Sequence, residues 1–350
     1  MQNLLELDRD GLIQVLAKWG QPSFRARQIL TWVFQRHVTD FSEMTDLPLS
    51  LRERLMAEMR VGSLSLAHQR RSRDGTSKRV YRLDDGQLIE TVLMHYRDGR
   101  RSACISTQAG CALGCIFCAT GQMGFARHLS AAEIVEQALL LAQDLARRGE
   151  RLSNVVLMGM GEPFHNYDES LKAVRRLMDD LGVGARHITI STVGLVPQIR
   201  RFADEGLQVR LAVSLHAATD EDRSDLLPVN RRWPLRELMA ACRHYVRKTG
   251  RRITFEWALI RGETDTMEQA HALGRLLQGL LCHVNAIPLN PTADYAGSPS
   301  GSEEVERFVS ILADYGIRTT VRVRRGIDID AGCGQLRAAV QSNEVNSDAL

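Results

Sequence analysis

Cys111, Cys115 and Cys118 stand in the run Cys111-Ala-Leu-Gly-Cys115-Ile-Phe-Cys118, with the spacing C-x3-C-x2-C. Gly110 and Gly114 allow the backbone to fold tightly enough for three thiolates to converge on one centre. A structural zinc takes four ligands in a closed shell, and no fourth ligand stands nearby at a matching spacing. A four-iron cluster held by three thiolates leaves one iron open to an exogenous ligand. The spacing, with the aromatic Phe117 before the third cysteine, therefore points to an open iron-sulfur centre. A zinc knuckle completed by His128 and a chance cluster are the alternatives. The chain has seven cysteines, an odd number, and four of them fall between Cys104 and Cys118. That crowding argues against a secreted disulfide framework and for a metal or redox site in the cytoplasm.

Two further cysteines stand apart from the motif. Cys333 is held between Gly332 and Gly334, just beyond the last predicted strand, where a turn of small residues would expose its sulfur. Cys104 precedes the first motif cysteine by seven residues, so both thiols can reach one cavity. An isolated cysteine of this kind is usually a buried small side chain, and Cys242 and Cys282 are assigned to the core on that ground. Other candidates cluster where predicted strands end. Gly161 and Glu162 follow the second core strand and Ser191 ends the third. Ser214, Leu215 and His216 end the fourth, and Asn290 follows the sixth. Singly, each reads as a strand-end cap or a satisfied core histidine. At one rim they read as a ligand site. Glu90, inside a predicted strand, is on its own a solvated residue.

These residues need a frame that brings distant segments together. Hydrophobic residues are 44% of the chain and charged ones 25%, a balance that excludes disordered, collagenous and coiled-coil classes. No apolar run approaches the ~18 residues of a membrane span, so no membrane partner is expected. Met1 to Gly11 carries acids and no apolar core, so no secretory segment is expected there. The first 60 residues carry helical periodicity at Leu12, Val15, Leu16 and Trp19, at Ile29, Trp32 and Val33, and at Leu51, Leu55 and Met59. Strands over 79–83 and 87–94 flank the turn Asp84-Asp85-Gly86. From Ser102 onward, short apolar runs (103–106, 154–158, 187–191, 209–214, 253–259, 284–288, 319–323) alternate with amphipathic segments (131–148, 170–181, 197–205, 234–248, 267–280, 303–315). Ser130 with Glu133 predicts a capping box, and Asp265 with Glu268 repeats it. Alternating units of this kind build a parallel sheet. Six of them fall short of a closed eight-unit barrel, so the expected fold is α/β with a partial (βα)6 parallel barrel. The divisions are a helical domain over 1–75, a β-hairpin linker over 76–100, a core over 101–336 and a polar tail over 337–350. Net charge is +3, but seven basic residues lie between Arg60 and Arg82 against the single acid Asp74. Basic clusters recur at Arg231–Arg232, Arg251–Arg252 and Arg322, Arg324, Arg325. Such stretches hold phosphates or simply solvate a surface.

Over nearly its whole length the chain resembles the radical S-adenosylmethionine (SAM) superfamily and, within it, the RlmN/Cfr adenosine methyltransferases. The resemblance rests on Glu90-Thr91-Val92, on Cys104-Ile-Ser-Thr-Gln-Ala-Gly-Cys111, and on the cysteine motif continuing through Ala119 to Phe125. It extends to Gly159-Met-Gly-Glu-Pro163, Ser191-Thr-Val-Gly194, Ser214-Leu-His-Ala217, Pro288-Leu-Asn-Pro291 and Asp328-Ile-Asp-Ala-Gly-Cys333-Gly-Gln-Leu336. It implies a [4Fe-4S] cluster on Cys111, Cys115 and Cys118. It also implies SAM, two molecules per turnover, bound by Gly161, Glu162, Ser191, Ser214, Leu215, His216 and Asn290. In the mechanism implied, Cys333 accepts a methyl group from one SAM and a second SAM is cleaved to a 5′-deoxyadenosyl radical. That radical takes hydrogen from methylated Cys333, and the carbon radical adds to an adenine. Glu90 removes the ring proton, and Cys104 attacks the Cys333 sulfur, releasing product and leaving a Cys104–Cys333 disulfide. The implied substrate is an adenosine of 23S rRNA near the peptidyl-transferase centre, methylated at C2, with adenosine 37 of some tRNAs as a second target. The basic stretch and the helical module would grip RNA, and an electron donor such as flavodoxin or ferredoxin is implied. The sequences Thr107-Gln-Ala-Gly110 and Gly121-Gln-Met-Gly124 lie closer to the C2 branch than to the C8 (Cfr) branch. His128 stands where many relatives carry Asn, and Gly332 where Ala is usual. The alternatives are a C8-methylating enzyme, a radical SAM enzyme on another substrate, and a non-catalytic RNA-binding protein with structural zinc.

Overall fold

The structure, a computed structural model, describes residues 1–337. The polar tail expected over 337–350 therefore lies, from 338 on, outside the described residues. At the N-terminus, β1 (Gln2–Asn3) pairs in parallel with β2 (Met59–Arg60), closing a module of α1 (Arg9–Lys18), α2 (Phe24–Leu30) and α3 (Leu49–Glu58). Asp8 caps α1 by accepting the Gly11 N–H at 2.7 Å, which satisfies one of the free amides of the first turn. Leu12, Leu16, Ile29, Val33, Leu51 and Leu55 are fully or almost fully buried between the helices, on the stripes that their periodicity marks.

Next come β3 (Ser65–Arg71), β4 (Ser77–Arg82), β5 (Leu88–His95) and β6 (Arg101–Cys104), each antiparallel to the one before. The short strands β7 (Gln108–Gly110) and β8 (Phe125–His128) form an antiparallel pair around α4 (Ala119–Gln122). The core continues with α5 (Ala131–Ala146), β9 (Asn154–Leu157), α6 (Tyr167–Asp179), β10 (Ile188–Thr192), α7 (Val196–Asp204) and β11 (Arg210–Ser214). It ends with α8 (Asp220–Leu226), α9 (Leu235–Thr249), β12 (Ile253–Leu259), α10 (Met267–Leu277), β13 (Cys282–Pro288), α11 (Ser302–Asp314) and β14 (Thr319–Val321).

Ten strands form one sheet in the order β14-β13-β12-β11-β10-β9-β6-β5-β4-β3. The seven from β6 to β14 are parallel and follow chain order without reversal. A doubly wound sheet reverses its order at a switch point; this one does not. β14 and β6 do not pair, so the fold is the partial parallel barrel that the alternating pattern predicts. Alternation within strands sorts the faces. In β12, Ile253, Phe255, Trp257 and Leu259 are fully buried, and the opposite face carries Thr254, Glu256 and Ala258.

Three expectations change. The hairpin expected as a linker over 76–100 forms, as β4 and β5, but inside the main sheet between β3 and β6, and the division expected at residue 75 falls in the turn joining β3 and β4. The exposed, polar run of β3 carries no apolar alternation to betray it. At α10 the cap is Thr266, which accepts the Gln269 N–H, while Asp265 is drawn back to the Gly262 N–H at 2.8 Å. Cys282, assigned to the core, is only half-buried at the start of β13. The capping box of Ser130 and Glu133 forms as expected.

Candidate active site

The cysteine motif hangs from the β7–β8 pair. Cys111 N–H donates to Gly124 O at 2.7 Å, closing the loop at its base, and Cys118 N–H donates to Cys115 O at 3.1 Å. Gly110 and Gly114 sit at φ +75° and +64°, conformations that side chains rarely adopt. Burial pushes the Cys111 thiol up to about 12 and the Cys115 thiol well above its ordinary value; the neighbouring cysteines add to both. Thiols crowded and buried in this way fit a positively charged metal cluster. Among the described residues, no three His, Cys, Asp or Glu side chains converge closely enough for a single metal ion. Cys111, Cys115 and Cys118 would instead hold a [4Fe-4S] cluster with one thiolate each. The zinc-knuckle alternative lacks its ligand too: the His128 ring faces Gln108 Nε2 at 3.0 Å and packs beside Phe125 and His165.

Beside this loop, at the carboxyl ends of the strands, lies a cleft enclosing about 970 Å³ with its open mouth included. Its lining contains Cys115, Cys118, Gly161, Glu162, Ser191, Ser214, His216, Asn290 and Cys333. The strand-end residues thus gather around the cluster loop. Leu215 does not line it: its side chain is fully buried and its N–H bonds to Glu256 O. The carboxylate of Glu162 is already engaged, accepting the N–H groups of Phe164 at 3.0 Å and Val193 at 2.9 Å. Burial pushes it up to about 7 against those hydrogen bonds. What the Gly161–Glu162 turn offers a ligand is therefore its backbone. Asn290 donates to Cys333 O at 3.0 Å, and its Oδ1 is buried without a partner. An orphaned acceptor in a cleft is expensive unless a ligand N–H or O–H meets it, which suits a nucleoside such as SAM. His216 holds a positive φ of 59° and its Nδ1 accepts the Ala258 N–H at 2.9 Å. Burial lowers its basicity to about 3, with the nearby Arg223 charge adding to the effect. It is a neutral ring with its remaining N–H on Nε2.

A second cavity of about 580 Å³ adjoins the first and contains Cys104, Val92, Met94, Arg322, Arg324 and Arg325. Met158, Ile287, Asn290, Cys333 and Leu336 line both. Cys333 is therefore in the partition, accessible from either side, and Cys104 faces it from the second chamber. Both thiols are free. Burial raises Cys104 to about 12, with the Cys333 charge adding and Arg322 opposing; Cys333 is exposed, as its turn of small residues predicts. Three hydrogen bonds pin the segment that carries Cys333. Ala119 N–H donates to Gly334 O at 2.8 Å, Thr120 Oγ1 to Leu336 O at 2.7 Å, and Gln335 Nε2 to Pro291 O at 2.9 Å. The unusual Gly332 is packed tightly: a Cβ there would lie 2.7 Å from Asn290 Nδ2. Glu90 lines neither cavity. It is buried on β5, on the same face as Val92 and Met94, and its carboxylate meets Lys78 Nζ at 3.3 Å and the Arg337 N–H at 3.1 Å. Burial raises it despite Lys78.

Comparison with known proteins agrees with this geometry. Residues 105–273 match the radical SAM superfamily profile, and residues 2–61 match the N-terminal domain of ribosomal RNA large subunit methyltransferases. The dual-specificity RNA methyltransferase RlmN 1 of Myxococcus xanthus is 55% identical over 97% of this chain and 95% of its own. This chain belongs to the RlmN family of radical SAM RNA methyltransferases. A probable RlmN enzyme of Geobacillus kaustophilus is 45% identical over 98% of this chain and 94% of its own. The crystal structure of a radical SAM methyltransferase from Sphaerobacter thermophilus superposes with a TM-score of 0.93 at 49% identity, covering 97% and 100% of the two chains. The protein is accordingly an enzyme that uses a [4Fe-4S] cluster and SAM.

Three further residues complete the site, and of these Arg223 and Glu256 were not expected from the sequence. Arg223 is fully buried and ties together the strand-end carbonyls of Val193, Ser214 and Leu215. Gln108 Oε1 accepts the Glu162 N–H at 2.7 Å. Glu256, on the inner face of β12, lines the cleft with one oxygen held by Asn285 Nδ2 at 2.6 Å. Glu256 had a legible signal, as the one charge in the apolar run Ile253–Leu259. Arg223, in the polar run Asp220–Asp225, had none. No helix among the described residues is long and apolar enough to cross a membrane.

Proposed function

We propose that this enzyme methylates C2 of an adenosine in 23S rRNA near the peptidyl-transferase centre, and adenosine 37 of some tRNAs. The observation that carries the reading is the position of Cys333, in the wall shared by a nucleoside-sized cleft and an arginine-lined chamber that holds Cys104. When bound, cluster and SAM supply a methyl group and a hydrogen-abstracting radical. A single thiol open to both chambers suits a carrier that receives the methyl on one side and presents it to a base on the other. Adenine C2 is electron-poor, and such a carrier avoids direct polar attack by a carbon without a useful lone pair.

The remaining assignments follow from surroundings. Cys104 meets Cys333 from the substrate side, so its thiolate is the nucleophile that frees the product, leaving a Cys104–Cys333 disulfide. Glu90 takes the ring proton: it shares a strand face with two residues of that chamber, Lys78 favours its ionised form, and burial makes that carboxylate more basic. Arg322, Arg324 and Arg325 hold phosphates at the entrance, where a base extruded from folded RNA must arrive. Strand β3 and the N-terminal module extend the contact along the backbone. Gly161, Glu162, Ser191, Ser214, His216 and Asn290 position SAM, with Leu215 contributing through its main chain. A flavodoxin or ferredoxin in the cytoplasm supplies the electron. The test is mass spectrometry of nucleosides after anaerobic incubation with unmodified rRNA and, separately, tRNA. The expected product is 2-methyladenosine; 8-methyladenosine alone, or no methylated adenosine, would overturn the proposal.

A further inference from the structure

We propose that Arg223 is the fixed counter-cation of the iron-sulfur cluster and that its charge makes the cluster easier to reduce. The inference rests on the assignment of Cys111, Cys115 and Cys118 as cluster ligands. Arg223 is fully buried on α8, and each of its hydrogen bonds goes to a neutral acceptor. Nε donates to Leu215 O at 3.1 Å, Nη2 to Val193 O at 2.6 Å and Ser214 O at 3.2 Å, and Nη1 to Asn230 Oδ1 at 2.8 Å. Among the described residues no carboxylate pairs with it. Asp220 is reached only through Asn230 Nδ2, and its Oδ1 also accepts the Leu235 N–H. A buried charge without an opposite charge is costly, so a guanidinium kept in this position implies an anion that is present in the working enzyme.

The candidate anion is the cysteine motif. One turn beyond Arg223, Leu226 O accepts the Ile116 N–H at 3.2 Å, which docks α8 directly on the residue after Cys115. Cys115 is itself buried, and Val193 and Ser214, whose carbonyls the guanidinium holds, line the same cleft as Cys115 and Cys118. A [4Fe-4S] core of charge +2 with three thiolates has a net charge of −1, and one electron takes it to −2. No bond breaks and no proton moves in that step; the electron comes from an external one-electron donor. A fixed positive charge stabilises the more negative form more strongly, and net charge near a cluster is a known control of its potential. The competing explanation is that Arg223 only ties three strand ends together. A glutamine offers the same carbonyls a donor without charge, whereas a lysine keeps the charge with fewer bonds.

The experiment uses the full chain, reconstituted anaerobically, with iron counted before anything else. A wild-type protein without about four irons per chain would sink the ligand assignment rather than this inference. Wild type, Arg223→Lys and Arg223→Gln are then poised with dithionite and dye mediators, and the reduced cluster is quantified by electron paramagnetic resonance. At a given applied potential, Arg223→Gln is expected to lower the reduced-to-oxidised ratio at least tenfold, equivalent to about 59 mV for one electron. Arg223→Lys should stay within about threefold of wild type. Equal ratios in all three proteins, or equal losses in both variants, would overturn the proposal. Should Arg223→Gln fail to load iron, Asn230→Asp neutralises the guanidinium in place; it is expected to lower the ratio similarly, and an unchanged ratio would refute the role.

Discussion

Replacing Gly161 by alanine tests whether the turn after β9 is the element that shapes the cofactor cleft. Gly161 has φ +98°, a region where an L-residue costs roughly 1–2 kcal/mol. Its added Cβ would stand 2.5 Å from Gln108 Cβ and 2.8 Å from Gln108 N, about an ångström inside ordinary contact. Gln108 has nowhere to go. It is fully buried, and its Oε1 holds the Glu162 N–H at 2.7 Å. Moving it aside exposes a buried donor to the loss of its partner, on the order of 1–3 kcal/mol. Together these come to about 2–5 kcal/mol at a turn that lines the cleft. Part will appear as stability, a fall in apparent melting temperature of roughly 2–5 °C for a chain this size. Part will appear as a misplaced Glu162 turn, raising the Kd for SAM at least tenfold, which corresponds to about 1.4 kcal/mol. Calorimetric titration of the reconstituted protein with SAM and a thermal melt read both quantities. Wild-type affinity together with an unchanged melt would refute the argument that only glycine fits there.

Other substitutions isolate other steps. Cys104→Ala should keep its iron and accumulate a covalent protein–RNA adduct, visible as a shifted band in denaturing gels; normal turnover would remove Cys104 from the release step. Because the Cys104 thiol is raised to about 12, its thiolate fraction climbs about tenfold per pH unit below that value. Product release from the adduct should therefore accelerate steadily from pH 7 to 9, and a flat profile in rapid-quench measurements would contradict this. His216→Asn supplies another acceptor for the Ala258 N–H and tolerates positive φ, so it should melt within a few degrees of wild type. His216→Leu leaves that N–H unpaired and should lose about 1–3 kcal/mol in denaturant titrations.

Most of the barrel is legible because its apolar runs alternate with amphipathic segments, and β12 is a good case: Ile253–Leu259 matches the predicted strand residue for residue. Strand ends elsewhere shift by one or two residues, as at β6, where Ile105 and Ser106 leave the sheet to begin the approach to the cluster loop. Strand β3 escapes because its residues are polar and exposed, so that only pairing with β4 makes it a strand. The site was legible wherever a motif coincides with a strand end, as for Ser191, Ser214 and Asn290. It was opaque where function depends on which atoms are already occupied. Nothing in the residue type of Glu162 reveals that two main-chain amides use its carboxylate, and nothing in Leu215 reveals that its side chain turns away. Arg223 was opaque for a related reason. A guanidinium on a short acidic helix reads as solvated until the surrounding carbonyls are seen.

The segment from Gly326 to Arg337 makes the two chambers interdependent. Its carbonyls are held by Ala119 and Thr120 beside the cysteine loop, its glutamine by the chain after β13, and its last amide by Glu90 on β5. During synthesis these residues emerge after every strand they fasten, so Cys333 is the last of the cysteines lining the two chambers to reach its place.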